Sequence, residues 1–176
     1  MAVANTKSTA ITNLDATPPQ LTNRGIAGAD LKVSIGICEV AAADDNASVY
    51  RFVRLPSNAI VHSIEFRGDA IASATDYDCG IYRTAGDGGA VVDADLFASA
   101  IDINAGVATT AASTLMRWEA ATTADISLAE YRLWQLADAG AATYATDPNY
   151  QFDVCLTGNT VGSAAGTLYL RVLWSA

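Results

Sequence analysis

The 176-residue sequence predicts an all-β chain, an antiparallel two-sheet sandwich with short helical insertions, and three observations carry that expectation. Two stretches near the C-terminus alternate with the period of two that places every second side chain on one face of a sheet. In the first, Phe152, Val154 and Leu156 alternate with Gln151, Asp153 and Cys155; in the second, Leu168, Leu170, Val172 and Trp174 alternate with Tyr169, Arg171 and Leu173. Further apolar runs of strand length recur upstream between turns rich in Gly, Asp and Pro, some seven or eight in all. Helical signals, by contrast, are confined to short segments, so two packed antiparallel sheets are the economical way to bury these faces.

Taken in chain order, residues 1 to about 30 form an arm rather than a piece of the core. They mix Asn, Thr, Ala and Gly with Pro18-Pro19, and show neither period. Their apolar residues, Ile11, Leu14, Leu21 and Ile26, are isolated: too sparse to build a core, yet spaced to fill separate shallow pockets on a neighbour. Pro18 and Pro19 hold the path locally extended, which lowers the entropy lost on docking, and Arg24 can orient the arm against an acidic surface. The alternative is a disordered leader. Residues 31–176 read as a single sandwich domain, with no repeat or linker to divide them.

The body begins at residues 33–40, where Val33, Ile35 and Ile37 fall on one side. Ala41 to Ala47 is a polar turn, and Val49 to Leu55 a strand stopped by Pro56. Ile60 to Phe66 follows, with Ile60, His62, Ile64 and Phe66 expected to share a face. A loop from Gly68 to about Ala74 leads to a strand through Tyr77, Cys79 and Ile81. Thr84 to Gly89 is an exposed glycine-rich turn. Asp93 and Asp95 precede Leu96-Phe97-Ala-Ser-Ala100, where an Asp-capped helical turn is expected at 95–100, and Ile101 and Ile103 resume the alternation. The register of 107–119 is ambiguous. Ser127 and Glu130 have capping-box spacing ahead of a helix expected at 128–137, and Gly158 to Gly166 is expected to be a surface loop between the last two strands.

Composition excludes several functions. Ten basic against 19 acidic residues give a net charge of −9, which lacks the clustered cations that bind nucleic acid. Apolar runs of four or five residues are too short for a membrane span or a signal-peptide core. Cys38, Cys79 and Cys155, odd in number and widely spaced, read as buried free thiols. The one histidine, His62, lies in a strand with no motif to supply a nucleophile or an orienting group, so it reads as packed rather than catalytic. The carboxylate pairs Asp44-Asp45, Asp76/Asp78 and Asp93/Asp95 sit at turns and element starts. None has the spacing of a calcium loop. Zinc would need Cys38, Cys79, Cys155 and His62 to converge from four strands. No catalytic residue, metal or cofactor is expected.

Six segments together carry a resemblance: Ser48-Val-Tyr-Arg-Phe-Val-Arg-Leu-Pro-Ser-Asn58, Asp76-Tyr-Asp-Cys-Gly-Ile-Tyr82, Val92-Asp-Ala-Asp-Leu-Phe-Ala-Ser-Ala100, Ala129-Glu-Tyr-Arg-Leu-Trp-Gln-Leu136, Asp147-Pro-Asn-Tyr-Gln-Phe-Asp153 and Ala165-Gly-Thr-Leu-Tyr-Leu-Arg171. Over residues 30 to 174 the chain resembles the capsid decoration, or cement, proteins of tailed bacteriophages. The resemblance implies a jelly-roll-like fold and a homotrimer on the outer capsid surface that bridges major capsid protein subunits. It also implies a protein made in the host bacterial cytoplasm; composition has already argued against a nucleic-acid or membrane partner. Residues 1–30 and the cysteines do not follow the pattern. Other readings are a carbohydrate-binding or host-adhesion head-fibre module, which needs a solvent-facing aromatic groove; a tail or portal adaptor, which needs ring-forming surfaces; and a small carboxylate hydrolase, which needs two carboxylates across a cleft.

Overall fold

A computed structural model describes residues 16–18, 30–105, 131–136 and 150–176, together with the backbone of 115–116. The chain divides after Asp30 into two units, and all the strands belong to the second. In order they are β1 (Lys32–Val40), β2 (Ser48–Pro56), β3 (Ile60–Gly68), β4 (Asp76–Arg83), β5 (Val91–Ile101), β6 (Leu115–Met116), β7 (Gln151–Thr160) and β8 (Gly166–Ser175). Among the described residues, a 3-10 turn (Ala85–Asp87) and a short helix, α1 (Leu133–Leu136), interrupt them. The strands form two four-stranded sheets, ordered β1-β8-β3-β6 and β2-β7-β4-β5, with every pairing antiparallel. First pairs with last, second with seventh, third with sixth and fourth with fifth. This is one long hairpin rolled into two sheets, the jelly-roll topology.

The core lies between the sheets. Phe152, Val154, Leu156, Leu168, Leu170 and Val172 are all fully buried, so the parity read from the two C-terminal strands is the parity of the fold. Tyr50, Val53 and Leu55 of β2 meet Leu156, Val154 and Phe152 across the ladder. Tyr77, Cys79 and Ile81 of β4 complete that side.

Four expectations are corrected. Segment 95–100 is not a helical turn but part of β5, which pairs Ala98 with Cys79 and Asp93 with Ile81. Five residue steps on β5 thus span two on β4. The surplus arches over Gly80, where an added Cβ would lie 2.0 Å from the Asp93 carbonyl oxygen. Asp93 does accept an amide, that of Asp95 at 3.3 Å, but in a bulge rather than at a helix start. Ile60 and His62 do not share the face of Ile64 and Phe66. A bulge between Val61 and Ser63 shifts the parity, putting Val61 in the core and leaving Ile60 and His62 half-buried.

The stretch 158–166 is only partly loop, since β7 runs on to Thr160. Gly158 pairs with both Ser48 and Tyr77, and its missing side chain makes room for the Tyr77 ring, 3.2 Å from where a Cβ would be. The true turn is left to Gly162, whose φ is +96°. The helix expected at 128–137 is not helical at Tyr131 and Arg132, and its described helical part is α1, Leu133–Leu136; Ser127 and Glu130 lie outside the described residues. The reach-back at its start comes from Gln135, whose Oε1 accepts the Arg132 amide at 2.8 Å. The Leu133 and Trp134 amides bond to the Ala59 and Ser57 carbonyls at 2.9 and 3.1 Å, which seats α1 on the β2–β3 turn.

Candidate interaction surface

β1 alternates as its sequence suggests, but with its large residues on the outside. Val33, Ile35 and Ile37 are 57%, 56% and 62% exposed, and Leu31 just before them is 60% exposed. The other parity, Ser34, Gly36 and Cys38, is small, and contact with β2 explains why. A Cβ on Gly36 would lie 2.3 Å from the Phe52 carbonyl oxygen, and Cys38 donates its thiol proton to the Arg51 carbonyl at 3.3 Å. The backbones of β1 and β2 therefore touch along this edge of the sandwich. No room is left there for the large side chains, which turn to solvent.

The outer face continues inward from that row. β8 places Leu173, Arg171 and Tyr169 opposite Val33, Ile35 and Ile37, and β3 places Ser63, Glu65 and Arg67 opposite those in turn. Glu65 is 97% shielded, and one carboxylate is held by two arginines: Oε1 accepts Arg67 Nε at 2.7 Å, and Oε2 is ion-paired with the Arg171 guanidinium. Charge at the centre of this face is thus paired within it, Glu39 at the end of β1 accepts the Thr167 hydroxyl, and the apolar row is left open.

Elsewhere the polar residues are engaged in holding the fold. On the outer face of the other sheet, Asp153 accepts Arg51 Nη1 at 3.0 Å and Arg54 Nε at 2.7 Å. Arg51 also donates to the Arg83 and Gly89 carbonyls, both at 2.8 Å. These arginines and Asp153 line a shallow recess of about 320 Å³ with Phe52, Val53 and Ala85. A bulge at Phe52 puts Arg51 and Arg54, three residues apart, on the same face as Asp153. The recess is therefore a by-product of a structural ion cluster, and the bond to Asp153 raises the Arg54 pKa still further.

His62 Nε2 is 2.8 Å from Ser175 Oγ. Burial lowers the His62 pKa, which keeps the ring neutral at pH 7, as expected of a packed histidine. All three cysteines are free: Cys79 and Cys155 are buried and Cys38 half-buried. Burial raises each thiol pKa, that of Cys155 to about 12, so all three stay protonated and inert. Asp78 accepts the Ala100 amide at 3.1 Å and an Asn159 amide proton at 2.7 Å, a strand-end clasp. Among the described residues no group of three or more His, Cys, Asp or Glu is placed to hold a metal ion. Nor is any described helix long and apolar enough to cross a membrane.

Of the arm residues, Pro18 is exposed, whereas Ile11, Leu14, Pro19, Leu21, Arg24 and Ile26 lie outside the described residues. Trp118 lies outside them too. Trp174 packs beneath Lys32, whose Nζ is 4.8 Å from the ring centroid, and donates to Ser34 Oγ at 2.9 Å; Trp134 packs against the core. The sequence held one sign of the outward row: large residues on one parity of β1 face three small ones on the other.

No protein-family model matches the chain, and no curated protein matches it. Among solved structures, a chain described as the cyanophage Pam1 capsid asymmetric unit is similar over 91% of this chain and 95% of that one, with 16% identity and a TM-score of 0.48.

Proposed function

We propose that this protein is a structural component of a tailed-phage virion, a homotrimer that decorates the outer capsid surface and stabilises it by bridging major capsid protein subunits. The observation that carries the reading is the division of labour on the molecule. The described polar groups of chemical interest are engaged within the fold, and what is left for a partner is an apolar row on a rigid edge strand. A protein repeated on a regular shell needs contact area and geometry, and symmetric copies turn modest contacts into firm attachment through effective concentration. The segment-by-segment resemblance to decoration proteins over residues 30 to 174 supports the same role.

Residues 1 to about 30 act here as a docking arm. Ile11, Leu14, Leu21 and Ile26 fill shallow pockets on a neighbouring subunit, Pro18 and Pro19 keep the path extended, and Arg24 orients it. Ordering such a segment costs roughly 1 to 2 kcal/mol per residue in backbone entropy, so it locks only where assembled subunits offer a continuous surface.

The test is a reconstruction of the particle that carries this protein. Density for it at threefold or quasi-threefold positions outside the shell is expected; density at the portal, tail or fibre tip would overturn the reading. Purified capsids give a second test, in which full-length protein is retained through salt and heat while a chain lacking residues 2–28 is released.

A further inference from the structure

The row Leu31, Val33, Ile35 and Ile37 is the largest apolar feature the described residues leave open, and its occupant is constrained by its shape and charge. It runs along six residue steps of one strand, about 20 Å. With each side chain 56–62% exposed, it presents on the order of 300 Å² of apolar surface, at the threshold where exposed patches on single chains mark contacts. A stable interface removes about 800 Å² from each partner, so one flat contact on the row falls short. A straight row does better beside a symmetry axis. Three copies placed around a threefold axis press each row against two others, and the half-buried Leu173 and Tyr169 beside it extend the contact.

Charge selects the same occupant. The chain has a net charge of −9, so copies of it repel one another over most approaches. From Leu31 to Cys38 there is no acidic residue. On the face beside the row, Arg67 and Arg171 balance Glu65 and Glu39. An acidic chain that meets itself needs a contact of this kind, uncharged at the centre and balanced at the rim. The exposed carboxylates Asp30 and Glu39 stand just beyond the two ends of the row, so a basic partner attracted by the acidity of the chain would find no carboxylate to pair with along the row itself.

We infer that the outward row of β1 is the self-association surface of this protein, buried against the same row of further copies. The inference deepens the homotrimer of the proposed function and rests on that reading only for the number of copies. Self-association through this row would stand even for a protein that never touches a capsid.

Sedimentation velocity of the full-length chain over a range of concentrations tests it. The native protein is expected to associate, and the double variant Ile35→Glu/Ile37→Glu to associate about a hundredfold or more weakly while keeping the circular dichroism and melting of the folded body. Val91→Glu changes a residue equally exposed, at 56%, on the other sheet and should leave association intact. If the glutamate pair does not fold, Ile35→Ser/Ile37→Ser carries the same comparison. A native chain that stays monomeric at its highest soluble concentration, a row variant that associates as the native chain does, or an equal loss in Val91→Glu would each overturn the inference. Row-dependent association into a dimer upholds the surface and overturns the trimer; a row-dependent trimer that fails to bind capsids upholds the surface and overturns decoration.

Discussion

The centre of the outer face of the β2-β7-β4-β5 sheet is closed by its own side chains, with Val49 and Val91 exposed singly at its margin, whereas that of the β1-β8-β3-β6 sheet ends in an open apolar row. On the first, Asp153, Cys155, Thr157 and Tyr82 are all buried. Arg51 and Arg54 clasp Asp153, the Arg51 guanidinium lies 5.5 Å from the Tyr82 ring centroid, and the Tyr82 and Thr157 hydroxyls are bonded at 2.6 Å. On the second, the Glu65 cluster closes the centre and the row stays outside it. The contrast separates residues that hold this fold from residues available to something else: a polar network that satisfies itself rigidifies its face, and an unshared apolar row does nothing for the monomer.

The sharpest way to break this comparison sets the two parities of one sheet against each other. Leu170→Ala removes a fully buried side chain and leaves a cavity, so it should cost about 2 to 5 kcal/mol in denaturant unfolding. Ile35→Ser, on the open row, should stay within about 0.5 kcal/mol of the native chain at concentrations where the protein is monomeric. A large loss at Ile35 there would mean the row supports the monomer's own fold.

Gly36 probes where the two sheets meet. Gly36→Ala drives a methyl to within 2.3 Å of the Phe52 carbonyl oxygen, backbone against backbone, and the contact must open. A cost of about 1 to 3 kcal/mol is expected by urea titration. Unchanged stability would show that the β1–β2 edge yields freely, and the outward turn of Ile35 and Ile37 would then need another cause.

The closed face is sharpened by Asp153→Ala, which strips Arg51 and Arg54 of their shared acceptor. The carboxylate is 6% exposed, but the two arginine side chains are 31% and 49% exposed and regain water. The expected loss is therefore about 1 to 3 kcal/mol, below that of a fully buried pair. Capsid retention and self-association of the folded variant should be unaffected; loss of either would make the closed face part of the binding surface.

The smallest effect is one of pH. Burial lowers the folded His62 pKa below its ordinary 6.5, so the unfolded chain takes up the proton first. The stability linked to His62 is full above about pH 6.5 and is lost as pH falls from there through the lower folded value. Melting temperatures from pH 8 to 5 should fall less steeply for His62→Gln than for the native chain. Equal slopes would remove His62 from the account.

Alternation, turns and the C-terminal core were legible in the sequence because they are local. Leu168, Leu170 and Val172 announce their shared face by spacing alone, and Pro56 and the glycines of 86–89 end strands through their own backbone preferences. The identity of the buried side was not local. Val33, Ile35 and Ile37 carry the same pattern as Leu168, Leu170 and Val172, yet they face outward because Gly36 meets the Phe52 carbonyl of a strand in the other sheet. Bulges were equally invisible: the shifts at Phe52 and His62 and the arch over Gly80 exist only because paired strands of unequal count must stay in register. The sequence by itself determined the period, most of the strands and the fold class. Tertiary packing decided which parity each strand buries, and with it the row offered to a partner, because a pattern of two distinguishes two faces without saying which one the rest of the chain will cover.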